Sequence, residues 1–443
     1  MFAPSKNVPH KSNLPRVLRI FQMKSTLADW LHTIEHTHHT SIDMGLDRVG
    51  AVRARMSAAT DAVIITVGGT NGKGSTCAML ENILKSAGYR VGLYTSPHLI
   101  HYNERVRIDG KPVSDEALIK GFEAVEAARG DTPLTYFEFG TLCAWEVFCA
   151  TPLDAIILEV GLGGRLDAVN IFEPDCAIVT SIDLDHQQYL GDTREAIGLE
   201  KAHIFRPGKP AVVGDPMPPA TLIDHARAIG AALHVSGRNF GFSGDRSQWS
   251  YRGRVTRGGL AYPSLRGANQ LLNASAVITA LDCLRERLPL SMADIRHGLM
   301  TVELPGRFQV LPGRPTVVLD VAHNPQAAAV LNENLSNMGY HPESWAVFGI
   351  MADKDVDAVI RTLAGRFDHW LCVDLPGARA LAGAALALRV ASLVPGADVS
   401  VLSSPARALE TAKASATVDD RIVVFGSFLT VAGVMVEGEA SVH

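Results

Sequence analysis

With 443 residues, 47% of them hydrophobic and 20% charged, the chain exceeds one ordinary domain, and two or three are expected. A formal net charge of -5 excludes the basic surplus of a nucleic-acid binder but lets local lysines and arginines hold small anions. No apolar run reaches the length of a membrane span, and the six cysteines form no Cys-x-x-Cys pair, so buried thiols in a reducing, cytoplasmic setting are expected. Residues 1–23 carry Lys6, Lys11, Arg16 and Arg19 and no acid. They lack a signal-peptide core and read as a disordered leader, a transit peptide, or a start assigned too early with Met23 as the true one.

Leu27 to His39 is amphipathic, which predicts a helix capped by Ser25 or Thr26. The run Ile42 to Arg48 then ends in a turn, where Asp43 reads as a capping or turn carboxylate. Ala62 to Val67 is an apolar, β-branched run suited to a strand buried on both faces. It leads into Gly68-Gly69-Thr70-Asn71-Gly72-Lys73-Gly74-Ser75, after which Met79, Ile83 and Leu84 share one helical face. Strand, glycine turn and helix start together make a phosphate cradle. The glycines let backbone N–H groups converge on an anion, the helix end adds partial positive charge, Lys73 adds a full one, and Ser75 or Thr76 reaches a phosphate or its magnesium. Val67 and Gly74 stand where the general nucleotide loop has a glycine and a second hydroxyl.

Val91 to Tyr94 is a second strand, running into Thr95-Ser96-Pro97-His98-Leu99 and then Asn103-Glu104-Arg105. Helices are predicted from Asp115 to Arg129 and from Thr135 to about Ala150, the second opening on Thr135-Tyr136-Phe137-Glu138, whose aromatics read as core. Asp154 to Val160 is an apolar strand with Glu159 near its end, ahead of Gly161 to Asn170. A carboxylate where a buried strand emerges beside a phosphate loop is placed as a magnesium ligand would be, and unpaired it would carry a large desolvation cost. Cys176 to Ser181 is a third strand, ending in Asp183-Leu184-Asp185-His186, either a helix cap or a second polar cluster. Lys201, in Glu200-Lys201-Ala202-His203, reads as a solvated helical lysine.

From Ala211 to Tyr262 short strands, a helix near Pro219 to Gly230 and a hairpin-like Gly/Arg/Ser-rich segment are expected, followed by a helix ending near Arg287 and another from Ala293 to Met300. The Pro-Gly break at Leu304-Pro305-Gly306-Arg307-Phe308 marks a boundary. Beyond it, strands at Thr316–Asp320, Trp345–Ile350, His369–Val373, Val399–Leu402 and Arg421–Phe425 alternate with helices, the pattern of a second, smaller doubly wound sheet. Polar clusters at their ends, Asp320 to Pro325, Asp353-Lys354-Asp355 and Gly426-Ser427-Phe428, read as caps.

Taken together, these segments resemble the folylpolyglutamate synthase family of the Mur ligase superfamily over nearly the whole chain. Gly69 to Ser75 is similar to its ATP loop, and Ser-Pro-His-Leu followed by Glu-Arg is one of its hallmarks. The resemblance implies an α/β fold: a P-loop ATPase parallel-sheet domain of the Mur ligase central type over residues 24–300, and a smaller Rossmann-like C-terminal domain over 301–443. ATP and folate would lie in the cleft between them.

The resemblance further implies ATP contacts from Thr70, Asn71, Gly72, Lys73, Gly74, Ser75, Asn273, Arg307 and Asp320. Ser96, Glu159 and His186 would bind magnesium, with Asp185 orienting His186. A second magnesium would be bound through Lys201 carboxylated by carbon dioxide. Asp43, Thr135, Tyr136, Phe137, Glu138, Leu166, Asp167 and Ala168 would line the pteroate pocket, and His323 would lie at the reaction centre beside the catalytic Lys73 and Lys201. His203 departs from the family's Glu-Lys-Ala-Gly-Ile pattern, which puts the carbamate geometry in question if the ring crowds the helix.

The implied activity is ATP-dependent ligation of L-glutamate to dihydropteroate and to the γ-carboxylate of reduced folates, through an acyl phosphate. The enzyme would be a monomer without nucleic-acid or membrane partners. A Mur-type ligase for a non-folate acid and an inactive nucleotide-binding sensor are the competing readings.

Overall fold

In the computed structural model, which describes residues 26–40, 42–245, 247–267 and 269–440, the apolar runs of the first half join into one sheet. The leader expected at 1–23 and the cap candidate Ser25 lie outside the described residues. The strands are β1 (Val63–Gly68), β2 (Val91–Tyr94), β3 (Val106–Ile108), β4 (Lys111–Pro112), β5 (Ala155–Glu159), β6 (Cys176–Val179), β7 (Pro210–Val213) and β8 (Ala232–Val235). Their order is β4-β3-β2-β5-β1-β6-β7-β8, parallel from β2 to β8, with β3 and β4 added antiparallel at one edge.

β1 lies between β5 and β6 and is buried along its whole length, as a β-branched run without alternation requires. Its side chains divide between two cores. Ile65 and Val67 pack with Leu80 and Ile83 of the helix Lys73–Ser86, while Ile64 points to the opposite core, which contains Phe139 and Phe148. Because the strands are parallel, the polar residues after β1, β2, β5 and β6 all emerge at one edge of the sheet, where ligands bind in open α/β folds.

The Gly/Arg/Ser-rich segment forms a three-stranded antiparallel sheet of β9 (Gly241–Gly244), β10 (Trp249–Arg252) and β11 (Arg257–Leu260). It docks on the helix Asn269–Cys283 through a hydrogen bond between the Tyr251 and Thr279 hydroxyls at 2.9 Å. The second half builds a six-stranded sheet from β12 (Gln309–Leu311), β13 (Thr316–Leu319), β14 (Ser344–Phe348), β15 (His369–Val373), β16 (Asp398–Leu402) and β17 (Arg421–Phe425), ordered β12-β13-β17-β14-β15-β16. It is parallel except for β12, and cores on both of its faces are closed by helices.

The first helix spans Leu27–Glu35 and stops short of His39. Thr26 and Asp29 cap its start reciprocally. At its end, hydrogen bonds from Thr33, His36 and Thr37 side chains to preceding carbonyls compete with continuation of the helix. The helix expected to end near Arg287 stops at Cys283. All six cysteines are free thiols, with Cys77, Cys143, Cys176 and Cys372 buried. Among the described residues no helix is long and apolar enough to cross a membrane.

One surface contact ties three neighbouring strands and predicts a pH effect. The His369 ring stacks on Trp345 at 3.8 Å, with Nδ1 2.8 Å from an Asp398 carboxylate oxygen and Nε2 3.1 Å from one of Glu343. Burial works against charge on the ring, but the two carboxylates outweigh it and raise its pKa above 6.5. The protonated ring therefore stabilises the fold fully below about pH 6.5 and loses that contribution as pH rises through the higher folded-state value. His369→Gln should destabilise the fold more at about pH 5.5 than at about pH 8.5, by no more than about 1 kcal/mol because both acids are largely exposed. Thermal melts at the two pH values check this.

Candidate active site

The turn after β1 is closed by backbone and side-chain contacts that leave room only for glycine. Gly69 has φ +144°, and a methyl group there would stand 1.8 Å from the Thr180 hydroxyl at the end of β6. Gly72 is left-handed at φ +88° and immediately precedes the helix Lys73–Ser86; a methyl group on it would lie 2.7 Å from the Asn273 side-chain oxygen. Thr70 N–H donates to the Ser181 carbonyl at 2.7 Å, and the Thr180 hydroxyl donates to the Asn71 carbonyl at 2.6 Å. β6 thus fixes the loop from below while Asn273 and Gln270 lean on it from the side, Gln270 reaching the Ser75 hydroxyl at 3.4 Å.

Two lysines converge on one carbonyl of this loop. Lys73 Nζ donates to Gly69 O at 3.1 Å and to Thr70 O at 3.3 Å, and Lys201 Nζ donates to the same Gly69 O at 3.0 Å. The reading of Lys201 from its helix alone, as solvated, is overturned by its 4% exposure. Its helix, Arg194–Ala202, lies beneath the Gly163-Gly164 turn, where a methyl group on Gly164 would meet the Glu200 carbonyl at 2.7 Å. Burial and then the Lys73 charge bring the Lys201 pKa down to about 7, so much of this amine is neutral at physiological pH.

His203 does not crowd the amine. It takes an ordinary helical conformation at the helix end, its Nδ1 sits 2.7 Å from the Leu199 carbonyl, and its ring lies against His225 at 4.2 Å.

Glu159, at the end of β5 and 3% exposed, accepts hydrogen bonds from the Thr95 hydroxyl and, at 3.3 Å, from the Ser96 N–H. Among the described residues no lysine, arginine or histidine forms a direct ion pair with it, although the Arg307 charge is near enough to interact, and a buried carboxylate without a paired cation fits a metal ion. His186 follows β6 in the left-handed conformation, φ 51°, and burial holds its pKa down to about 4, leaving the ring neutral with a lone pair free to bind metal. Glu159, His186 and the Ser96 hydroxyl are the residues that would hold a divalent ion. Among the described residues no cluster of three His, Cys, Asp or Glu side chains forms a metal site by itself.

The expected pteroate residues form a neighbouring wall. Thr135 and Glu138 cap the helix Tyr136–Cys149 reciprocally, and the Glu138 carboxylate also accepts Arg48 Nη2 at 3.1 Å. Arg48 Nη1 donates to Asp43 at 2.7 Å, so one guanidinium joins Asp43 to Glu138. Phe137 packs on Gly161 and lies 5.9 Å from the Tyr94 ring; Tyr136 meets Tyr102 edge-on at 5.8 Å. Asp167 is buried and accepts the Leu162 and Val169 N–H groups; burial outweighs those bonds and raises its pKa to about 6. Ala168 is buried beside it, and Leu166 is half-buried.

The second sheet covers the loop. Arg307 lies 4.9 Å over the Phe428 ring, its Nη2 3.7 Å from where a methyl group on Gly74 would sit, and its buried Nη1 has no hydrogen-bond partner. Asp320 accepts the Phe308 and Ala322 N–H groups, and burial raises its pKa to about 6 despite those bonds and the Arg307 charge. His323 bonds the Val321 carbonyl through Nδ1 at 2.8 Å, and burial followed by the Lys354 charge holds its pKa down to about 4. Asn71 of the phosphate loop donates to Asn324 at 3.2 Å and to Gln326 at 2.5 Å, at the start of the helix Pro325–Ser336.

Asp185 was expected to orient the His186 ring. It approaches that ring only to 4.0 Å and instead accepts the His186 backbone N–H at 2.9 Å. Arg48, Gln326 and Lys354 are among the polar residues of this region that the sequence does not single out, with Thr95, Thr180, Ser181 and Gln270. Of these, Lys354 lay within a strand-end cluster already noted, and Arg48 within the Asp43 segment.

Comparisons with known proteins cover both halves of the chain. The family described as "Mur ligase middle domain" matches residues 67–228, and "Mur ligase, glutamate ligase domain" matches residues 306–428. The dihydrofolate synthase/folylpolyglutamate synthase of Escherichia coli (strain K12) is 43% identical over 422 residues, 95% of this chain and 97% of that protein. The solved E. coli FolC in complex with DHPP and ADP superposes with a TM-score of 0.90 at 42% identity, covering 95% of this chain and 99% of that one. A bifunctional folylpolyglutamate synthase/dihydrofolate synthase with Mn, AMPPNP and L-glutamate bound gives a TM-score of 0.86 at 44% identity, over 94% and 98% of the two chains. Similarity at this level over both halves shows that the chain belongs to the dihydrofolate synthase/folylpolyglutamate synthase family of Mur ligases.

Proposed function

We propose that the chain ligates L-glutamate to dihydropteroate, forming dihydrofolate, and to the γ-carboxylate of reduced folates, forming polyglutamates, with ATP consumed in each cycle. The observation that carries the reading is the convergence of Lys73 and Lys201 on the Gly69 carbonyl, with Arg307 of the second half approaching the same loop at Gly74, in a chain similar along its length to enzymes named for these two activities. The working units are residues 24–300 and 301–443, a division supported by the Pro305-Gly306 break and by where the two family matches fall. The enzyme acts as a cytoplasmic monomer, for which its free thiols and net charge are suited.

A carboxylate and an amine do not condense at neutral pH, so the acid is first activated. The substrate carboxylate oxygen attacks the γ-phosphorus of ATP, the bond to the β-phosphate oxygen breaks, and ADP leaves an acyl phosphate. The loop N–H groups and Lys73 hold the β- and γ-phosphates, and the unpartnered Arg307 Nη1 is free to bind a transferring phosphoryl oxygen. The glutamate α-amino nitrogen then attacks the acyl carbon, inorganic phosphate departs, and the amine proton is lost. We assign neutral His323 to this centre, as the family resemblance implies. Ser96, Glu159 and His186 would hold a divalent ion, and carboxylated Lys201 a second, which when bound would supply charge neutralisation for the phosphates. The half-neutral Lys201 amine is suited to that modification, because its nitrogen adds to carbon dioxide and releases a proton.

The test is ADP release with glutamate, given dihydropteroate and a reduced folate in separate reactions. Both acids should support turnover. Release with neither acid, but with another carboxylic acid, would favour a Mur-type ligase of different specificity; ATP binding without any acid-dependent release would favour a sensor.

A further inference from the structure

The two halves meet on one carboxylate. Asp185, in the loop after β6, receives Lys354 Nζ at 2.8 Å and the Asn324 side-chain N–H at 3.2 Å, and His323 Nε2 stands 3.9 Å away. All three come from the second sheet, at the ends of β13 and β14. The Lys354 and Asp185 side chains are 8% and 11% exposed, so this is a nearly dry ion pair rather than a surface contact. The same carboxylate oxygen that receives Lys354 is tied to the first half, since it also accepts the backbone N–H of His186, the left-handed residue. Asn324 extends the contact to the phosphate loop, exchanging hydrogen bonds with Asn71 at 3.2 Å in each direction.

We propose that Lys354 is a positioning residue of the ligase: from the second sheet it holds Asp185, and through Asp185 it fixes the His186 backbone and the closed approach of the second half over the phosphate loop. An uncompensated buried carboxylate is costly, so without Lys354 the closed arrangement loses its counter-charge and opens. Among the described residues the Lys354 ammonium has Asp185 as its hydrogen-bond and ion-pair partner, and no such bond joins it to the phosphate loop or to Ser96, Glu159, His186 or Lys201. Its effect therefore falls on the step that needs both halves together. Only that catalytic consequence rests on the ligase reading above; the closure itself does not.

The experiment measures hydrogen exchange in the nucleotide-free full chain, together with steady-state kinetics, for Lys354→Met and Lys354→Arg. In Lys354→Met, exchange of the Asn71 and His186 segments should be about 10-fold faster. Its kcat should fall about 10- to 100-fold while KM for ATP moves less than about 3-fold. Lys354→Arg, which keeps the charge, should recover most of both. If Lys354→Met does not fold, Asp185→Asn takes its place, with exchange read in the segment around Lys354. Wild-type exchange in these segments would overturn the proposal whatever the activity. Altered exchange in a protein inactive on both folate substrates would leave it standing and reject the ligase reading instead.

Discussion

Replacing Lys73 with alanine is expected to lower kcat by about 10³-fold or more, with the folded structure intact. Two losses combine. The first is the full positive charge at the phosphate loop; removing one preorganised group that stabilises transition-state charge costs about 10²- to 10³-fold. The second acts through Lys201. The Lys73 charge is one of the causes that hold the Lys201 pKa near 7, so without it more of that amine is protonated and less can take up carbon dioxide. ADP release and nucleotide affinity, measured side by side, separate the two: weaker ATP binding reports the first loss, and partial recovery at higher pH reports the second. Lys73→Arg should keep much of the affinity and little of the rate, because a planar guanidinium does not reproduce the ammonium bonds to Gly69 O and Thr70 O.

Lys201→Ala is expected to lose about 10²-fold or more in kcat and to regain part of it with a short carboxylate such as acetate. A buried lysine on a phosphate-binding loop would otherwise add a second cation where Lys73 already stands, and the structure meets this by holding its amine half neutral. Carboxylation turns the same side chain into an oxygen donor of opposite charge. The pH dependence follows from the depressed value: the amine is neutral and reactive above about pH 7, and carbon dioxide uptake falls away as pH drops below it. Full activity of Lys201→Ala without additive would contradict the carbamate, as would a wild-type enzyme indifferent to removal of dissolved carbon dioxide.

What was legible in the sequence is what local pattern encodes. The run Ala62 to Val67 and the glycine turn identify a buried strand feeding a phosphate cradle, and Glu159 is placed by its strand alone, because parallel strands deliver their carboxyl ends to one edge. Thr135 and Glu138 carry the Thr-x-x-Glu spacing of a capping box, which the structure confirms, although only resemblance drew attention to them. Lys201 was legible only through the resemblance. A helical lysine gives no local sign of burial; its place is set by the Gly163-Gly164 turn, which lets the helix approach the phosphate loop.

Contacts between distant segments were illegible for the same reason. Arg48 and Glu138 are 90 residues apart, and Lys354 and Asp185 are 169 apart. No periodicity links such pairs: packing of two helices within the first half joins Arg48 to Glu138, and packing of the second half on the first joins Lys354 to Asp185. Asp185 shows the consequence: the resemblance implied that it orients the His186 ring, whereas the fold turns its carboxylate to the second half.

The central claim is that a folate-type carboxylate is activated as an acyl phosphate before glutamate attacks. The most direct measurement uses dihydropteroate whose carboxylate carries isotopically heavy oxygen, incubated with ATP and glutamate, with the masses of the released phosphate and of the product recorded. The account predicts a product heavier by one glutamyl residue and a phosphate that has gained one heavy oxygen from the acid. Product formed with unlabelled phosphate would contradict the acyl phosphate, and ADP release without any glutamyl product would contradict the ligation itself.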